Sequence, residues 1–253
     1  LRYLLVDGQG NYGSVDGEKT LLSIDKETGA VESVGLGPFA STEDGCSCPY
    51  TIDLKKSVSA DRALPCSEVI FTFEIINGTA ITQSGLNLSD ITPEDFTILE
   101  ILSNPFGGNL AVSDHAFEIH NMNIPSGSDS IRVLVAIEEN AMGGYKNQAV
   151  LTGLPASLGN MTVSDNPKTL AIEDSTAVFV ETIDLSFIEE EYIICPGDNV
   201  VIDLSFNGAT YQWENGSQSP VRALIEPGTY AVTVTSECQQ EITSFEVITE
   251  LEY

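Results

Sequence analysis

A two-residue alternation of apolar and polar side chains recurs along the chain, and it limits the fold more than any other feature. In "EVIFTFEIIN" Val69, Phe71, Phe73 and Ile75 fall on one face. "DSIRVLVAIEE" places Ile131, Val133, Val135 and Ile137 likewise, "YTIDLKKSVS" places Ile52 and Leu54, and "HAFEIHNMNI" places Phe117 and Ile119. Such a period puts every second side chain on one side of a strand. Gly, Pro, Asn and Asp punctuate these runs, and no window shows a 3.6-residue period. Strands with one apolar face each predict an all-β chain of two-layer sandwiches. With 42% hydrophobic residues the chain can fill such cores.

Three units are expected. Residues 1–45 hold one clear hairpin, "TLLSID" to "AVESVG" around "KETG", with Gly29 placed for a positive φ. A segment this short cannot bury its own core, so it reads as the end of an upstream β domain. Residues 46–182 form one sandwich and residues 183–253 a second. In the latter "DNVVIDLSF" aligns Val200, Ile202, Leu204 and Phe206, and "GTYAVTVTSEC" aligns Tyr230, Val232, Val234 and Cys238. The opening "LRYLLVDG" begins as if in mid-strand, as in a mature product or an excerpt of a longer chain. No apolar run approaches the roughly 18 residues of a membrane-spanning helix.

The charge is strongly acidic, 38 Asp and Glu against 10 Lys and Arg, for a net charge of −28. This argues against nucleic acid, whose binding needs cations to displace counterions, and against anionic membrane surfaces. Solubility alone accounts for it; calcium binding is the sharper alternative. In "DGQGNYGSVDGE" Asp7, Gln9, Asn11 and Glu18 fall at positions 1, 3, 5 and 12 of a calcium loop. Position 6 is Tyr12 rather than Gly and no helix flanks the loop, so the stretch reads as a polar loop between strands.

Five cysteines, Cys46, Cys48, Cys66, Cys195 and Cys238, lack the spacing of a zinc site. They read as disulfides formed in an oxidising compartment, with one left over. Cys195 as a nucleophile would need a base and a cationic setting. Residues 183–253 contain no histidine and only one cation, Arg222. A Cys195–Cys238 bridge is therefore expected, with Trp213 inside against it and Tyr211 on the same face. His115 and His120, five apart, suit neither strand nor helix chelation. The chain shows no P-loop, dinucleotide fingerprint, GxSxG elbow or HExxH pattern. No enzyme and no cofactor are expected.

Three resemblances add to this reading. "LLSIDKETGAVESVG" resembles the repeat of bacterial β-propellers and covers at most one blade. "IDLKKSVSADRALPCSEVIFTFEIIN" and "IPSGSDSIRVLVAIEENAMGGYKNQAVLTG" resemble the opening and close of an immunoglobulin-like repeat of bacterial surface proteins. Lys56, Asn77, Gly127, Tyr145, Asn147 and Ala149 fall in register with it. Cys66 stands where that family usually has Gly, which implies a subgroup stapled by a disulfide. The expected partner of Cys66 is Cys48, with Cys46 left over, although the choice of Cys48 over Cys46 is close to even. "CPGDNVVIDL", "YQWENGS" and "PGTYAVTV" resemble PKD-like and immunoglobulin-like domains of gliding-motility-associated, type IX-secreted proteins of Bacteroidetes. Together the resemblances imply a non-catalytic structural module of a large extracellular or cell-surface protein, such as an adhesin stalk, filament or appendage. Its partners would be other domains of the same chain or further copies of itself, without membrane insertion. The alternatives are a calcium-dependent carbohydrate-binding module and the accessory tail of a secreted hydrolase.

Overall fold

The computed structural model describes the backbone of four short strands within residues 3–36 and the whole of residues 51–249, apart from the side chain of Ser157. The four strands are β1 (Tyr3–Asp7), β2 (Gly10–Ser14), β3 (Thr20–Ile24) and β4 (Val31–Leu36). They pair in sequence order as an antiparallel meander. The expected hairpin is β3–β4, with Ile24 opposite Val31. The meander extends further than expected. Gly10–Ser14, read from sequence as part of a polar loop, is a strand paired to β1, with Asp7 opposite Gly10.

The next strands are β5 (Ile52–Val58), β6 (Arg62–Ala63), β7 (Glu68–Asn77), β8 (Gln83–Ile91), β9 (Phe96–Ser103), β10 (Asn109–Val112), β11 (Ala116–Ile124) and β12 (Gly127–Ile137). They are followed by β13 (Gly143–Asn147), β14 (Val150–Thr152), β15 (Met161–Val163) and β16 (Thr176–Val180). One sheet has the order β5-β7-β12-β9, the other β10-β11-β8-β14-β15, and a small third sheet runs β13-β16-β6. The alternation maps directly onto this sandwich. Phe73, Ile75, Ile131 and Val135 on one sheet, and Leu88, Ile119 and Ile124 on the other, have essentially no exposed surface. Burying each such side chain contributes about 1.5–3 kcal/mol. One core unites these residues from Ile52 to Val180.

A second core runs from Ile183 to Val247 and also takes in Leu64. Its strands are β17 (Glu191–Ile194), β18 (Val200–Asp203), β19 (Thr210–Trp213), β20 (Val221–Leu224), β21 (Gly228–Thr235) and β22 (Gln240–Thr249). They form a β17-β22-β21-β19 sheet, in which β17 pairs parallel to β22, and a β18-β20 pair. Trp213 is buried beside Tyr211 on the same face of β19, as expected. The Tyr211 hydroxyl donates to Leu204 O at 2.7 Å and accepts from Phe206 N at 2.9 Å, pinning the preceding loop. Trp213 Nε1 donates to Ser219 O at 2.9 Å. The Arg222 guanidinium lies over both the Trp213 and Tyr230 rings, 5.0 and 4.9 Å from their centroids. It also binds Glu214 at 2.8 Å. Burial acts to raise the Glu214 carboxyl, but hydrogen bonds from Arg222 and the Ala231 N–H outweigh it and hold the group below its ordinary value.

The cysteine pairing differs from expectation. The bridge joins Cys66 to Cys238, 172 residues apart, with 5.9 Å between the Cα atoms. Both expected pairs, Cys195–Cys238 and Cys48–Cys66, are therefore excluded, since each sulfur forms one such bond. The reason is where the strand stops. β21 ends at Thr235, so Cys238 lies in the turn before β22 rather than on a core-facing strand position. Cys195 sits on the surface at the turn that follows β17, where its carbonyl accepts from Asp198 N. Trp213 packs against Arg222 instead of a disulfide. Cys46 and Cys48 lie outside the described residues.

Candidate functional site

Two built features stand out, and neither is a conventional active site. The first is the junction between the two cores. After β6, Ala63 enters the first core while Leu64, only 1% exposed, enters the second. Cys66 follows in a tight turn in which Ser67 N and Ser67 Oγ both donate to Leu64 O. The turn is fastened to the first sandwich by paired backbone bonds, Cys66 N to Ile137 O and Ile137 N to Ser67 O. Cys66 has φ of 62°, the left-handed region that costs a residue with a Cβ about 1–2 kcal/mol. Here the side chain is kept because it carries the bond to Cys238. One further hydrogen bond crosses the same junction, Asn207 Nδ2 donating to Arg62 O at 2.9 Å; next to Cys238, Gln239 Oε1 accepts from Ile183 N at 3.2 Å within the second unit.

The second feature is a buried charged cluster inside the first sandwich. Lys56 on β5 shares the inward parity of Ile52 and Leu54, and Asp90 on β8 shares that of Leu86 and Leu88. Both charges therefore point into the core. Lys56 Nζ lies 2.7 Å from Asp90 Oδ1, with the two side chains 0% and 1% exposed. Asn147, the last residue of β13, donates from Nδ2 to Asp90 Oδ2 at 3.0 Å. One carboxylate thus holds the lysine amine on one oxygen and the asparagine amide on the other. Phe71 and Phe73 flank the amine, 4.6 and 4.9 Å from Nζ to the ring centroids. Burial lowers the Lys56 amine to about 8, against the opposing pull of Asp90. Thr176 on β16 locks the frame: it pairs with Asn147, and its hydroxyl donates to Lys56 O at 2.6 Å.

Lys56 and Asn147 are both in register with the surface-repeat resemblance, but the residue that joins them, Asp90, was not singled out from sequence. Of the other positions in that register, Asn77 Nδ2 donates to Ile81 O and Ile124 O, and the Tyr145 hydroxyl donates to Asp95 at 2.7 Å. Among the described residues, no buried side-chain nitrogen or oxygen lacks a hydrogen-bond partner.

The remaining candidates do not converge. His115 and His120 are both exposed; His120 contacts Glu118, and His115 Nδ1 lies 3.1 Å from Phe96 O. For calcium, Asp7 ends β1 and Asn11 lies on β2, with side chains outside the described residues, as is the whole of Glu18. Among the described residues, no group of three or more His, Cys, Asp or Glu is placed to hold a metal ion. Likewise, no described helix is long and apolar enough to cross a membrane.

No family model matches the chain, and no curated protein matches it in sequence. Solved structures match over about half of it. CaCohA2 from Clostridium acetobutylicum is 20% identical with a TM-score of 0.32, covering 51% of this chain and 90% of its own. A non-cellulosomal cohesin from Archaeoglobus fulgidus is 14% identical with a TM-score of 0.30, covering 51% and 86%. An immunoglobulin-like protein from Nocardia farcinica is 7% identical with a TM-score of 0.33, covering 52% and 98%.

Proposed function

We propose that this chain is a non-catalytic, load-bearing segment of an extracellular surface protein, in which two β-sandwiches act as one stiff unit. The junction carries this reading: a disulfide, the Leu64 side chain in the neighbouring core and a crossing hydrogen bond from Asn207 to Arg62. Sandwiches in tandem ordinarily move relative to each other unless their interface is large and apolar. A covalent staple removes that freedom without a large interface. It also suits an oxidising compartment outside the cell, as does the acidic surface. The strands resist pulling through their hydrogen-bond ladders, and the bridge limits how far the chain can lengthen. On this reading the wider protein supplies the partners, as further domains or further copies. The carbohydrate-binding alternative calls for exposed aromatics beside carboxylates, whereas Trp213 is buried.

Small-angle X-ray scattering of the wild type against a Cys66→Ser/Cys238→Ser double variant tests the stiffness. The variant is expected to fold, to show a larger radius of gyration and to lose the interference features of fixed spacing. Superimposable profiles would show that the bridge does not hold the two sandwiches in place.

A further inference from the structure

The geometry points to a covalent amide between Lys56 and Asn147, formed by the protein on itself with Asp90 as proton carrier. The three side chains meet the chemical requirements of this reaction. The amine is held on the same carboxylate as the amide it would attack, so the two reacting groups are fixed side by side. The backbones behind them are tied through Thr176. Burial among Phe71 and Phe73 excludes water, which would otherwise compete by hydrolysing the amide. The same burial weakens the hold of the amine on its proton, so the neutral nucleophile is accessible near neutral pH.

The steps balance. Lys56 Nζ passes one proton to Asp90 Oδ1, and its lone pair attacks Asn147 Cγ. Asp90 delivers that proton to Nδ2 and takes a second from Nζ. The Cγ–Nδ2 bond then breaks, the Cγ–Oδ1 double bond reforms, and ammonia leaves. The ion pair and amide become an Nζ–Cγ amide, one ammonia and Asp90 as the uncharged acid. No oxidant and no cofactor enter. The bond would join the first strand of the sandwich, β5, to the end of β13, closing most of the sandwich within a covalent loop. It is independent of the Cys66–Cys238 bridge and survives reduction.

Intact-mass spectrometry of the reduced, folded chain is the test, followed by digestion and fragment sequencing. The wild type is expected to weigh about 17 Da less than its sequence, the mass of one ammonia. A branched peptide should join the Lys56 and Asn147 segments. The Lys56→Met and Asn147→Ala variants should each recover the full mass and yield only linear peptides. Asp90→Asn should slow or abolish the loss while leaving both reacting groups in place. A wild type of full mass, with Lys56 and Asn147 recovered in separate linear peptides, would overturn the inference. So would an ammonia loss that maps to any other residue.

Discussion

Replacing Asp90 by alanine is expected to destabilise the first sandwich by about 3–5 kcal/mol, a large share of the stability of such a domain. The cost arises because Lys56 keeps its place among Phe71 and Phe73, fully buried, with no counter-charge. Its amine would then unfold the sandwich or give up its proton. Asn147 loses its acceptor in the same step. Removing both charges should cost less than removing one. A Lys56→Met/Asp90→Leu double variant is expected to be closer in stability to wild type than Asp90→Ala, because burying an ion pair recovers little beyond its own desolvation. Urea titrations followed by circular dichroism measure the difference. If Asp90→Ala shifts the midpoint no more than a surface substitution does, the carboxylate does not support the buried amine.

Trp213→Ala is the matching prediction for the second sandwich, with an expected loss of about 3–5 kcal/mol. Trp213 is the largest of the fully buried side chains, its indole N–H is satisfied by Ser219 O, and Arg222 lies across its ring. Truncation leaves a cavity, orphans the Ser219 carbonyl and frees the arginine from its stacked position. A module of this size has little stability in reserve. The variant should therefore unfold its second sandwich well below the first, as an early separate step in thermal circular dichroism. Trp213→Phe keeps most of the volume and should lose much less. Equal losses for Ala and Phe would mean that the ring does not fill the core.

Much of this architecture is legible in the sequence because strand alternation reports burial directly. Val69 to Ile75 and Ile131 to Ile137 alternate without a break, and their inward faces are those that the structure buries. Trp213 follows the same rule. Parity fails where a strand stops: counting past Thr235 puts Cys238 on the core face of β21, while the chain has already turned. No local pattern could reveal a bond that crosses between two sandwiches over 172 residues. The family likeness at Cys66 marked the position as unusual, and the backbone there is left-handed. Asp90 was hidden differently. It is one of 38 acidic residues, and only its parity with Leu86 and Leu88 separates it from the solvated ones. Lys56 carries the same signal beside Ile52 and Leu54. Charged residues at inward positions of two strands amount to a readable prediction of a buried pair. That the carboxylate also holds Asn147 depends on how three sheets meet, and only the fold shows it.

The load-bearing reading is tested most directly by pulling single molecules from their two ends, oxidised and then reduced. With Cys66–Cys238 intact, the 172 residues between the cysteines cannot add to the extended length. Reduction is expected to lengthen the fully stretched chain by about 600 Å if no other cross-link is present. The gain falls to roughly 280 Å if Lys56 and Asn147 are joined, because that loop stays closed. Oxidised and reduced chains that stretch to the same length would contradict the account.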